Sequence, residues 1–179
     1  MTAPESPSFV NPGAKFTEDL YLSIAQLSND DFVALRDEIL IAAADSNADL
    51  KALQTSFYSN GCTDAPEWLT PQPTWEACVQ HDFRYTVGAN VFFGNGEKAR
   101  ADRSAADRQL GKNIGAGDDV MAKIASFSAM SLTQALGGWF YTPTPIRVEK
   151  TYASGHDICE TLQNPYVSSR VRELFSKLA

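Results

Sequence analysis

The stretch from Trp75 to Asn113 constrains this chain most. Trp75, Cys78, Asp82 and Tyr85 recur every three to four residues, which is helical spacing. Thr74 is a good cap, so the pattern predicts a helix from about 75 to 92. Gly94-Asn95-Gly96 breaks it, and Glu97 to Asn113, polar, Ala-rich and charged, reads as a second helix. The turn between them is short, so the two pack as an antiparallel hairpin. Successive side chains on a helix point about 100° apart. The adjacent His81 and Asp82 therefore face different neighbours, an arrangement suited to a base on one side and a cation ligand on the other.

Helical signals dominate the remaining sequence. Residues 1–13 are rich in Pro and Ser and read as a loose arm. Thr17-Glu18-Asp19-Leu20 opens a short helix through Leu27. Ser28-Asn29-Asp30-Asp31 resembles a cap with acids in the first turn. The stripe Phe32, Leu35, Ile39, Leu40 and Ala43 then predicts a helix over 29–46. A further helix is expected from Ala48 to Phe57. Asn60-Gly61 and Pro66 are turn chemistry, and Pro71 and Pro73 keep the loop irregular. Beyond the hairpin, helices are expected over 118–135 and from Val167 to Leu178, with an extended or irregular piece near Ile146-Arg147-Val148. The fold class is all-α.

Charge and cysteine usage narrow the partners. A formal charge of −7 argues against a nucleic-acid partner and against strong attraction to anionic lipid. No apolar run reaches the roughly 20 residues that span a bilayer. The N-terminus lacks the basic head and apolar core of a secretory signal, so the chain reads as intracellular or as a processed form. Three cysteines are too few for a disulfide scaffold. The spacing of Cys62 and Cys78 across the Pro-rich loop leaves two readings open, one bridge or two buried thiols. A bridge there contributes about 3 kcal/mol in the chain-entropy model.

The candidate chemistry centres on His81. It lies thirteen residues before Gly94; Asp107 lies thirteen after it and Asp102 eight after it. Hairpin symmetry favours Asp107 as the neighbour of His81, though spacing alone does not settle which acid pairs. A His–Asp couple makes a general base, because the carboxylate sets the tautomer and stabilises the imidazolium. Asp82, facing the other way, meets the Asn60–Gly61 loop, and such hard oxygen ligands suit Ca²⁺. Blander readings compete. A lone helical His is more often a satisfied residue, and Asp102 and Asp107 among Arg100, Arg103 and Arg108 read as a solvated, ion-paired face. Arg84 reads as a surface cation paired with an acid. His156-Asp157 with Cys159 is too small a set for Zn²⁺. Trp139-Phe140-Tyr141, with Trp68 and Trp75, suits core packing better than a lipid interface.

Cys78-x-x-His81-Asp82-x-x-Tyr85 resembles the active-site helix of secreted phospholipases A2 of the small bacterial and fungal type. Lys98-x-Arg100-x-Asp102 resembles the segment that this family carries on its second helix. The likeness covers roughly residues 57–113. It implies a phospholipase A2-like helical domain over 51–179, preceded by an N-terminal extension over 1–50. It also implies calcium-dependent hydrolysis of the sn-2 ester of a glycerophospholipid at a membrane interface, by a secreted protein whose leader has been removed. Under that mapping His81 activates a water, Asp102 rather than Asp107 orients His81, and Tyr85 supports Asp102. Asp82, Asn60 and the Gly61 carbonyl hold Ca²⁺, and Cys62 pairs with Cys78. Asn60 departs from the Asp usual there, which removes a charge and weakens Ca²⁺ binding. That departure keeps two other readings in play: a non-hydrolytic binding or signalling protein, and a metal-independent His/Asp acid–base catalyst acting on another hydrophobic molecule.

Overall fold

The computed structural model describes residues 8–10, 15–42, 48–59, 72–115, 141 and 146–148. The helices expected over 118–135 and 167–178 lie outside the described residues, as do Asn60, Gly61, Cys62, His156 and Cys159. The described part is helical but for one short ribbon, in keeping with the all-α reading.

Three helices precede the hairpin. They are α1 (Glu18–Ala25), α2 (Asn29–Ile41) and α3 (Ala48–Ser56). Each of the first two begins where its cap predicts. Thr17 Oγ1 accepts from the Leu20 amide at 3.3 Å, and Ser28 Oγ accepts from the Asp31 amide at 3.2 Å. Helix α2 ends at Ile41, earlier than the apolar stripe implies. Its last carbonyls would be left without partners. Gln54 of α3 supplies one, its Nε2 donating to the Ile39 and Ala42 carbonyls at 2.9 and 2.7 Å.

The hairpin follows. Helix α4 (Gln72–Phe83) runs into a π turn (Arg84–Gly88) and a last helical turn, α5 (Ala89–Val91). A tight tip leads to α6 (Gly96–Ile114). At the tip Gly94 takes φ +81°, the left-handed region that glycine enters without a Cβ penalty. Asn95 caps α6, accepting from the Lys98 amide at 3.1 Å. The two arms lie antiparallel, as the short turn requires.

Phe83 organises the core. Its ring lies 4.8 Å from that of Phe57, 5.3 Å from Phe32 and 5.9 Å from both Tyr21 and Phe16. One side chain of the hairpin thus gathers α1, α2 and the end of α3 into a single aromatic cluster with Leu20, Ile24, Leu35, Ile39 and Leu53. Aromatic pairs at such distances each add about 1 kcal/mol beyond the area they bury. With Phe83 turned into this core, His81, two residues and some 200° away, is turned toward α6.

Polar stitches lock the α1–α2 corner to the hairpin. Gln80 Nε2 donates to the Leu27 carbonyl at 3.0 Å, and Gln109 Nε2 donates to the Ala25 carbonyl at 3.1 Å. Asn113 Nδ2 donates to Gln80 Oε1 at 2.8 Å. A corner between helices leaves backbone carbonyls exposed, and side-chain amides from both arms satisfy them.

The loose arm expected over residues 1–13 is corrected in part. Strand β1 (Ser8–Val10) pairs antiparallel with β2 (Ile146–Val148), Phe9 opposite Arg147. Pro-rich composition reads as irregular locally, but an extended segment far along the chain offers it a ladder.

At Gly88 the hairpin packs tightly against Tyr21 of α1. A Cβ there would run into the Tyr21 hydroxyl and Asp102 Oδ2. Gly88→Ala is therefore expected to lower stability by about 1–3 kcal/mol, the usual cost of forcing atoms into a filled interior. Urea unfolding followed by circular dichroism measures it; a midpoint equal to or above that of the native chain would contradict this packing.

Candidate active site

Two acids of α6 are buried against the other arm of the hairpin, Asp102 6 % exposed and Asp107 1 %. The solvated face expected from their arginine neighbours is overturned. Alternating charges on a helix look like a surface, yet the arm opposite supplies cations and hydroxyls aimed at these two positions.

Asp107 holds the histidine. His81 Nε2 lies 3.1 Å from Asp107 Oδ1, and the Tyr85 hydroxyl donates to the same oxygen at 2.6 Å. His81 and Tyr85 stand one helical turn apart on the same face, their ring centroids 4.1 Å apart. The His81 side chain keeps 11 % of its surface exposed, so the ring is held on one edge and reachable on another.

Asp102 serves a different set of groups. Arg84 Nη2 donates to its Oδ1 at 2.5 Å. The Tyr21 and Tyr141 hydroxyls donate to its Oδ2 at 2.6 and 2.8 Å. Arg84 also reaches Gln109 Oε1 at 2.8 Å. The expected pairing of Asp102 with His81, and of Tyr85 with Asp102, is thus corrected in favour of Asp107. The reason is level along the helix. Asp102 sits five residues before Asp107, about 7.5 Å along the axis, and both of its oxygens are already occupied. Hairpin symmetry named the right acid and the motif match the wrong one. Arg84 is corrected too: it pairs with an acid, but in the interior, 5 % exposed.

The π turn brings Arg84 and Tyr85, neighbours in sequence, to two different carboxylates of one facing helix. A widened turn closes with an i→i+5 bond and so shifts the rotation of the side chains it carries. Tyr141 joins the two acids from outside the hairpin. Its hydroxyl serves Asp102 while its ring meets that of Tyr85 edge to face at 5.3 Å. Sequence reasoning missed Tyr21 and Tyr141 as partners of the site. Tyr141 carried one signal, its place in the Trp139-Phe140-Tyr141 cluster; Tyr21 carried none.

The electrostatics follow from burial. The Tyr21 and Tyr141 phenols are pushed far above the ordinary tyrosine value by burial and then by the Asp102 charge. Tyr85 is raised by burial and by its bond to Asp107, with the Arg103 charge opposing. Burial works against the Arg84 charge, but the Tyr21 oxygen and the Asp102 carboxylate outweigh it and its pKa is raised.

Asp82 faces away from this set, as its position next to His81 requires. Its Oδ2 accepts from Ser59 Oγ at 2.5 Å, and Ser59 immediately precedes Asn60. The charge of Arg36, a fully buried cation whose own pKa is lowered by burial, is also felt at Asp82. Among the described residues there is no group of three or more His, Cys, Asp or Glu side chains able to hold a metal. Of the ligands expected for Ca²⁺, only Asp82 lies among the described residues.

No protein-family model, characterised protein or solved structure matches the chain. The phospholipase A2 likeness thus rests on the residues of the motif alone.

The two acids are expected to fail differently. Asp107→Asn is expected to release the His81 ring, seen as a change in its imidazole ¹⁵N chemical shifts by NMR. Asp102→Asn strands Arg84 and costs about 3 kcal/mol of stability, the scale for a broken buried pair. Unchanged His81 ring shifts in the Asp107 variant would refute the assignment.

Alkali provides a second test. The folded pKa values of Tyr21, Tyr85 and Tyr141 lie above their unfolded values near 10. Above pH 10 the unfolded chain loses these protons while the folded chain keeps them, so stability is full below pH 10 and falls as pH rises. At least three of the six tyrosines should ionise only on unfolding, read by absorbance near 295 nm.

Proposed function

We propose that the chain is a phospholipase A2-like esterase in which His81 activates water against the sn-2 ester of a glycerophospholipid. The observation that carries this reading is the His81 Nε2–Asp107 Oδ1 contact, reinforced by Tyr85 on the same oxygen. With the Nε2 proton directed at Asp107, Nδ1 is left as the basic nitrogen. It takes a proton from water as the oxygen attacks the carbonyl. The imidazolium, stabilised by the buried Asp107 carboxylate, then returns the proton to the departing alkoxide. The products are a free fatty acid and a lysophospholipid, and no side-chain nucleophile is needed.

Asp107 replaces Asp102 in the orienting role that the family likeness implied. Asp102 becomes the residue that anchors α1 and Tyr141 to the hairpin behind the dyad.

Calcium belongs to the same proposal. The Ser59–Asp82 bond supports it, because it starts the Asn60–Gly61 loop beside the carboxylate. Asp82, Asn60 and the Gly61 carbonyl would hold the ion, which would polarise the ester carbonyl. The proposal includes a Cys62–Cys78 bridge to hold that loop, and action on lipid outside the cell at an interface. No helix among the described residues is long and apolar enough to cross a membrane. A metal-independent acid–base reaction is the second reading. It is favoured by Asp82 already accepting from Ser59 and standing near the Arg36 cation.

Fatty-acid release from phosphatidylcholine vesicles decides among these. The native chain should release acid with Ca²⁺ and lose activity in chelator. His81→Gln should lower the rate by about 10²–10⁴-fold, the range for removing a general base, while Ca²⁺ binding persists. Activity that survives chelation would select the second reading; release unaffected by His81→Gln would end both. In parallel, alkylation mass spectrometry with and without reductant should show two of the three cysteines protected until reduction.

A further inference from the structure

Nearly every buried charge around the hairpin is matched: Arg84 by Asp102, Asp107 by His81 and Tyr85, and Arg36 by Asp37. Among the described residues, Arg103 has no such match. It stands on α6 four residues before Asp107, hence on the same face of that helix and one turn nearer the tip. It is half-buried, and its Nε is enclosed without a hydrogen-bond partner. Among the described residues no carboxylate lies within ion-pair distance of it. Its charge is near enough to act on the Tyr85 hydroxyl, the group that braces Asp107. A guanidinium presents five donors in a planar fork and loses hydration when enclosed, so an enclosed, unmatched one at the edge of a reactive site is suited to an anion brought in from solution.

We propose that Arg103 is the anion-binding residue of the His81 site and that its ligand is the phosphodiester of a glycerophospholipid. This rests on the esterase reading and extends it, because it assigns the phosphate a protein cation in addition to any metal. The placement matches the chemistry. In a glycerophospholipid the phosphate is a few bonds from the sn-2 carbonyl. Four residues, about 6 Å, separate Arg103 from Asp107 along α6. A phosphate held by the fork would thereby orient the ester relative to His81. Arg103 binds substrate and takes no part in proton transfer.

The test compares two esters of equal acyl length, monomeric dihexanoyl phosphatidylcholine and dihexanoylglycerol, with the native chain, Arg103→Gln and Arg103→Lys. Arg103→Gln should raise KM for the phosphatidylcholine about tenfold with little change in kcat, and should leave the neutral ester unchanged. Arg103→Lys should recover part of the loss, since charge is kept and the fork is not. Equal losses on both esters, or none on either, would overturn the proposal. Calorimetry with a non-hydrolysable diether phosphocholine and, separately, with inorganic phosphate keeps the question open to test even if neither ester is cleaved. Binding of the diether weakened about tenfold by Arg103→Gln supports the lipid phosphodiester. Weakening seen only with inorganic phosphate, or with neither ligand, overturns it. Failure of the esterase reading would show as absent hydrolysis by the native chain, and failure of this proposal as unaltered diether binding. A thermal melt of each variant checks that the fold is retained.

Discussion

The structure depends on satisfying two carboxyl groups buried inside a helical hairpin. An ionised acid without partners in such surroundings costs several kcal/mol. Asp102 and Asp107 escape that cost in different ways. Asp107 takes two donors from one face of the opposite arm, His81 and Tyr85, one turn apart. Asp102 takes donors from three separate segments, Arg84 from the hairpin, Tyr21 from α1 and Tyr141 from beyond it. One acid therefore holds an imidazole, and the other holds the tertiary structure together around it.

This division has an energetic logic. A base that works on an outside molecule must leave one edge of its ring free, so its acid can be saturated from one side only. A structural acid has no such requirement. Two phenols and a guanidinium fill Asp102, and none of the three needs to move in the proposed reaction. Gly88 makes the second arrangement sterically feasible, since only a residue without a Cβ leaves room for the Tyr21 hydroxyl against Asp102. The aromatic cluster around Phe83 then orients the helix that carries His81, because a side chain packed among four rings sets the rotation of its helix.

Local chemistry made the secondary structure legible. Ser28 and Thr17 cap the helices they were expected to open, and Gly94 turns the hairpin where the periodicity stops. These signals act over three or four residues, so they survive in the sequence alone. The pairing of β1 with β2 was not legible, because its partner strand lies far along the chain. Nor was the burial of Arg84, whose neighbours on its own helix say nothing of Asp102 on the next. The candidate dyad was half legible. Counting from the tip reached Asp107, since an antiparallel hairpin with a short turn keeps nearly equal distances on both arms. A short motif, Lys98-x-Arg100-x-Asp102, pointed about one and a half turns astray because it carries no information about which oxygens other segments already occupy.

Although α4 begins at Gln72, ahead of the expected Thr74 cap, the sequence by itself determined α1, α2, α3 and α6, the Thr17 and Ser28 caps, the hairpin and the presence of a histidine with an acid within reach on the facing arm. Each follows from interactions between residues close in the chain or related by one tight turn. Only the tertiary structure decided which acid meets His81 and what the other acid does. That choice depends on Tyr21 and Tyr141, eighty-one and thirty-nine residues from Asp102. Contacts over such separations are made by packing, and no local pattern encodes them.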